Sequence, residues 1–145
     1  MKFQMLEIIN NQSKVKINPK SFEEFAEQVI QKISETGGKF VTVAFISDRK
    51  MCLLNKTFRD KNATTDVLSF PFEAEEFEMD ENNLGDIFVS LEQAERQANE
   101  NNLDFETEIK QLILHGILHL CGFDHETDNG EMNRRELRLR KTLMI

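Results

Sequence analysis

Residues 40 to 47 read FVTVAFIS, a run rich in β-branched and aromatic side chains. Such a run predicts a buried strand, which needs other strands to pair with and helices to cover it. The flanking sequence supplies both. Phe22, Phe25, Ala26, Val29, Ile30 and Ile33 recur at helical spacing, so an amphipathic helix packs there against something flat. Pro19 precedes it, Ser21 and Glu24 are placed as a capping box, and Gly37 and Gly38 are expected to end it. Residues 3 to 10 are expected to form an opening strand. From about Asp48 a second helix should carry Met51, Leu54 and Phe58 inward. DVLSFPF, 66 to 72, is the next strand, at a sheet edge because Pro71 cannot donate to a ladder. GDIFVS, 85 to 90, is a short buried strand. Ser90 and Gln93 form a capping box before a helix with Leu91, Ala94 and Ala98 on one face. Asp104 caps a longer helix running to Gly122, and Asp128 with Glu131 marks a last cap before a C-terminal helix. This order predicts an α+β fold. Residues 1–145 form one domain, with a small mixed sheet of about four strands surrounded by helices.

A length of 145 residues, with 39% hydrophobic and 30% charged, supports one self-sufficient core and excludes coiled coil, disulfide scaffold and full-length disorder. No window is apolar for long enough to span a bilayer, and the start MKFQMLEIIN lacks the apolar run and cleavage site of a signal peptide. Two distant cysteines, Cys52 and Cys121, suit free thiols in a reducing compartment, so a cytoplasmic location without membrane attachment is expected. The net charge of -8 argues at first against a nucleic-acid partner. Yet residues 73 to 83, EAEEFEMDENN, hold six acids and no base, and without them 18 cations face 20 acids. Residues 49 to 61 carry Arg49, Lys50, Lys56, Arg59 and Lys61 against Asp60 alone. Near the C-terminus Arg134, Arg135, Arg138, Arg140 and Lys141 accompany Glu136. Either segment can track a phosphate backbone; either can also be the polar face of an amphipathic helix.

The three histidines of the chain, His115, His119 and His125, all fall within HGILHLCGFDH. His115 and His119, four apart, share one helix face. Gly122 can end that helix in the left-handed conformation and let the chain return His125 to the same point. Three converging neutral imidazoles suit Zn²⁺, one per chain, and leave open the fourth position that catalytic zinc keeps. Cys121, two positions from His119, points away and reads as a small buried hydrophobe. The same His spacing occurs in metzincin proteases, which place Glu directly after the first His as general base. Here that position is Gly116, which either leaves room beside the metal or allows close helix packing.

HGILHLCGFDH, together with TTDVLSFPF, LGDIFVS and LNKTFR, resembles the YbeY family of bacterial rRNA maturation factors, from about Leu54 to Met132. Phe58 and Phe123 stand where the family often has Tyr, and Thr64 where it often has Pro. The resemblance implies a zinc-dependent, single-strand-specific endoribonuclease acting in 16S rRNA 3′-end maturation and ribosome quality control. It implies RNA rather than DNA as substrate, the 16S rRNA precursor and the small ribosomal subunit as partners, and His115, His119 and His125 as zinc ligands. By the same resemblance Arg59 is the functional arginine, suited to hold a phosphate bidentately. Asp66 and Asp124 can orient a ligand or cap a turn. A non-catalytic zinc-containing ribosome-assembly factor is the alternative, favoured by the acidic balance. A metalloprotease-like hydrolase is a third.

Overall fold

The computed structural model describes residues 5–73 and 82–145. It opens with strand β1 (Leu6–Asn10), a 3₁₀ turn (Pro19–Phe22) and helix α1 (Glu23–Lys32). The Ser21/Glu24 capping box does not form. Pro19 has no N–H to hydrogen-bond and starts the 3₁₀ turn, so the capping role moves upstream to Asn18. Asn18 accepts from Lys20 N at 3.2 Å, and Ser21 Oγ donates to Asn18 O at 2.7 Å. Helix α1 ends at Lys32 rather than at the glycines, because Ile33 turns to extended backbone. Buried Thr36 donates its hydroxyl to Ile30 O and Ile33 O at 2.9 Å each, and Gly37 closes a second 3₁₀ turn, Ser34–Thr36.

Strand β2 (Phe40–Ile46) follows, then α2 (Asp48–Arg59), β3 (Val67–Pro71), β4 (Asn83–Ser90), α3 (Leu91–Glu100), α4 (Phe105–Leu120) and α5 (Glu131–Leu143). The sheet order is β1-β2-β4-β3. β1, β2 and β4 run parallel, and β3 pairs antiparallel with β4 at the edge, as Pro71 requires. This is a single α+β domain with a four-stranded mixed sheet and five α-helices among the described residues.

Strand alternation assigns the two faces. Val41, Val43 and Phe45 of β2 and Ile87 and Val89 of β4 join α1, α3 and α4 in the main core. Ala44, Ile46 and Leu68 face the other way and meet Met51 and Leu54 of α2 in a smaller core. Phe58 departs from expectation: it is 61% exposed, and Asn55 is buried on the inner face of α2 instead. Asn55 Nδ2 donates to Ala63 O at 2.8 Å, and its carbonyl accepts from Lys61 N at 3.2 Å. Asp60, at φ 55°, reverses the chain there.

Helix starts match the sequence reading in part. Ser90 Oγ accepts from Gln93 N at 3.3 Å, but Ser90 N donates to Asp66 O at 2.9 Å, so only half of that capping box exists. Asp104 caps α4 through Thr107 N at 3.1 Å. Asp128 accepts from Gly130 N and Met132 N, both at 2.8 Å, just ahead of α5. Asp48, at the start of α2, ties three segments together. It accepts from Ser90 Oγ at 2.6 Å and Thr64 Oγ1 at 3.0 Å, and pairs with Arg96 of α3. Partial burial raises its pKa, but these donors outweigh burial and leave it lowered.

Candidate metal centre

Helix α4 runs along the sheet and buries Ile109, Ile113, Leu114, Ile117 and Leu118 completely. In the last nine residues of the helix, Leu112–Leu120, His115 and His119 are the two partly exposed positions, one turn apart. The helix stops where expected. Gly122, at φ 95°, takes the left-handed conformation that side chains rarely adopt, and Phe123 N returns to Leu118 O at 3.2 Å. Asp124 then folds the next turn, accepting from Glu126 N at 3.0 Å, and His125 comes back over the helix end. The ring centroids of His115, His119 and His125 lie 4.7, 5.5 and 5.3 Å apart. One ligand nitrogen from each lies within 4.8 Å of the others. Among the described residues no cysteine or carboxylate joins this group. Cys121 packs against the main core, where burial pushes its thiol up to about 11.

The hydrogen bonds fix which nitrogens face inward. His119 Nδ1 lies 2.9 Å from Phe123 O, which can only accept. His115 Nδ1 lies 2.7 Å from Glu136 Oε1, contributed by α5. Burial raises the Glu136 pKa, but the His115 hydrogen bond, aided by nearby positive charge, outweighs it and leaves the group lowered, hence a carboxylate acceptor. Both Nδ1 atoms therefore carry protons, and both Nε2 atoms present lone pairs. Those two Nε2 atoms are 3.1 Å apart. Neither donates in this tautomer, so the two lone pairs are aimed at a shared point, the arrangement a cation takes. Two ligands of one tetrahedral zinc stand about 3.4 Å apart, given Zn–N bonds near 2.1 Å. The donor set thus fits a metal ion, with carboxylate and carbonyl partners behind it, as metal-binding histidines usually have. Burial and the two neighbouring imidazoles lower the His119 pKa and favour its neutral, ligating form.

The histidines line one wall of a cleft of about 650 Å³. Arg59, the last residue of α2, lines the same cleft, with Lys61, Thr64 and Asp66. Arg59 is exposed, and its side chain makes no hydrogen bond or ion pair with any described residue. The C-terminal cations are mostly engaged elsewhere. Arg135 grips Glu35 through two bonds of 2.8 and 3.0 Å, and Arg140 reaches Glu136 at 3.3 Å. For that segment the helix-face reading holds. Asp66 accepts from Val67 N at 2.7 Å at the start of β3, and Asp124 serves a turn. The acidic segment 73–83 lies mostly outside the described residues.

One residue escaped the sequence reading. Glu136 was one acid among five cations; its spacing of four from Arg140 was the available signal. Gly116 faces the sheet and not the metal centre. A Cβ there would meet Ile87 Cδ1 and Cγ2 at 2.9 Å, so of its two readings close packing is the one the structure supports.

A family model described as Endoribonuclease YbeY matches residues 7–144. Among similar proteins, one called Endoribonuclease YbeY in Nautilia profundicola is 44% identical over 107 residues, 74% of each chain. Another of that name, in Alkaliphilus metalliredigens, is 38% identical over 139 residues, 90% of each. A third, in Clostridioides difficile, is 35% identical over 133 residues, 88% of this chain and 87% of the other. The solution structure of TM1509 from Thermotoga maritima superposes with a TM-score of 0.65 at 30% identity, covering 96% of this chain and 89% of that one.

Proposed function

This chain belongs to the YbeY endoribonuclease family, and on that premise we propose that it is a cytoplasmic, zinc-dependent endoribonuclease that cuts single-stranded RNA. His115, His119 and His125 hold one zinc ion, and Arg59 holds the phosphate to be cut. The 3′ end of the 16S rRNA precursor, in the setting of the small ribosomal subunit and its quality control, is the physiological substrate. One observation supports this above the others: three imidazoles converge, those of His115 and His119 with Nε2 inward, on a cleft shared by the Arg59 guanidinium, which no described residue pairs.

A bound zinc ion supplies Lewis-acid chemistry at the phosphodiester. The chain's own groups supply the rest. Glu136 and Phe123 O hold the Nδ1 protons of His115 and His119, which fixes both rings before metal arrives. Arg59 offers a planar fork to the non-bridging oxygens, where negative charge grows as the P–O bond breaks. Asn55 and Asp48 hold the 60–65 segment, so the wall opposite the histidines keeps its shape.

The deciding experiment is single-turnover cleavage of a single-stranded RNA, with zinc content measured on the same preparation. Wild type should cleave and hold about one zinc per chain, while His119→Ala should stay folded and lose both. A folded wild type with zinc but no cleavage, and unimpaired ribosome binding, would favour the assembly-factor reading. Full zinc occupancy in the Ala variants of all three histidines would overturn the ligand assignment. Peptidase activity is expected to be absent, since no carboxylate follows His115.

A further inference from the structure

The sheet face turned away from α4 carries a row of three phenyl rings. Phe58 and Phe70 centroids are 5.2 Å apart at 64°, and Phe70 and Phe88 are 5.7 Å apart at 71°. Phe70 and Phe88 are half-buried over the smaller core, whereas Phe58 is 61% exposed. Its edge-to-face neighbour fixes the orientation of the Phe58 ring and leaves much of it in water. It sits on the last turn of α2, one residue before Arg59, which lines the histidine cleft. Lys61, also exposed, follows in the loop after α2 and lines the same cleft as Arg59.

We infer that Phe58 is a base-stacking site for the RNA strand that enters the cleft, adjacent to the phosphate held by Arg59. The inference rests on the endoribonuclease reading and assigns a further subsite to it. Non-specific recognition of single strands combines a basic track with aromatic rings on which bases stack. Arg59 and Lys61, which line the cleft next to Phe58 in sequence, supply the basic groups, so the charge there selects a polyanion. The platform is the Phe58 end of the row. At the other end Asp86 pairs in register with Phe70 and faces the same side as Phe88, which repels phosphate. A second copy of the chain is a poor occupant: one exposed ring and the nearby Leu53 fall far short of the roughly 800 Å² per partner that stable dimers bury.

The test titrates zinc-loaded protein with two labelled strands of equal length, a 2′-O-methyl oligouridylate and an abasic strand with the same phosphates. Phe58→Leu keeps apolar bulk and removes the ring, and should weaken oligouridylate binding about tenfold. Binding of the abasic strand should be unchanged, which also reports the folded fraction of that preparation. Phe58→Tyr should restore wild-type affinity. Equal affinity of wild type and Phe58→Leu for oligouridylate overturns the proposal. So does an equal loss on both strands, or a loss of self-association alone. A wild type that binds both strands alike overturns the stacking site only; one that binds neither overturns the nuclease reading with it.

Discussion

Two side chains around the histidines have separable roles in this reading: one lines the cleft, the other lies behind His115. Arg59 lies at a helix end and lines the histidine cleft, and among the described residues its guanidinium has no hydrogen-bond or ion-pair partner. Arg59→Lys keeps the charge and loses the fork. Charge-assisted hydrogen bonds contribute roughly 1.5–3 kcal/mol, so single-turnover cleavage should fall about tenfold or more, with zinc content unchanged. A wild-type rate in that variant would reduce Arg59 to a surface charge. Glu136 acts through His115. Glu136→Gln still offers an acceptor but no charge, and should weaken metal affinity by about 10–100-fold in competition with a chromogenic chelator. Undiminished affinity would mean that the Glu136–His115 contact only holds α5 in place.

The packing of whole elements sets the second group of expectations. Gly116 lets α4 approach β4 at Ile87, a fully buried β-branched residue with a stiff side chain. Gly116→Ala gains about 1 kcal/mol of helix propensity, but overpacking costs about 1–3 kcal/mol and Ile87 has little room to give. The variant should therefore be less stable in urea and should keep its zinc. In an Ile87→Ala background the same change should be neutral or stabilising, and any other outcome removes the packing account. Helix α5 is tied to the Ser34–Thr36 turn by Arg135, whose hydrogen bonds pull the Glu35 pKa from 4.5 to about 2. A carboxylate depressed in the folded state stabilises above its unfolded pKa, and that contribution is lost as pH falls. Glu35→Gln should thus lower the melting temperature slightly at pH 7, by about 2 °C for so exposed a pair. The difference should shrink between pH 4.5 and 2. A difference that persists unchanged through that interval would assign the stabilisation to something other than charge. These elements also show what was readable beforehand. Strands, the α4 cap and the histidine spacing are local patterns, since side chains four apart on a helix must be neighbours. The Glu136–His115 contact joins residues 21 apart in sequence, and Gly116 meets a strand, so no local spacing encodes either. The Pro19 region was legible but misread, because proline serves equally well as the first residue of a 3₁₀ turn.

Across the whole molecule, chemistry gathers at one edge of the sheet. β3 is the edge strand; its Val67, Leu68 and Ser69 line the cleft between the α4 histidines and the end of α2. The strongest concentration of like charge, 73 to 83, is the sequence that joins β3 to β4. Replacing Glu75, Glu76 and Glu78 by Gln should change RNA affinity less than removing Arg59 does, at any salt concentration. A tightening at low salt that fades at high salt would put those charges beside the RNA. No helix among the described residues is long and apolar enough to cross a membrane. The α5 contribution to His115 comes from late in the chain. A product cut short before α5 would contain all three histidines without the carboxylate that holds the His115 ring. Such a product should bind metal less tightly than the full chain, as competition with a chelator would measure.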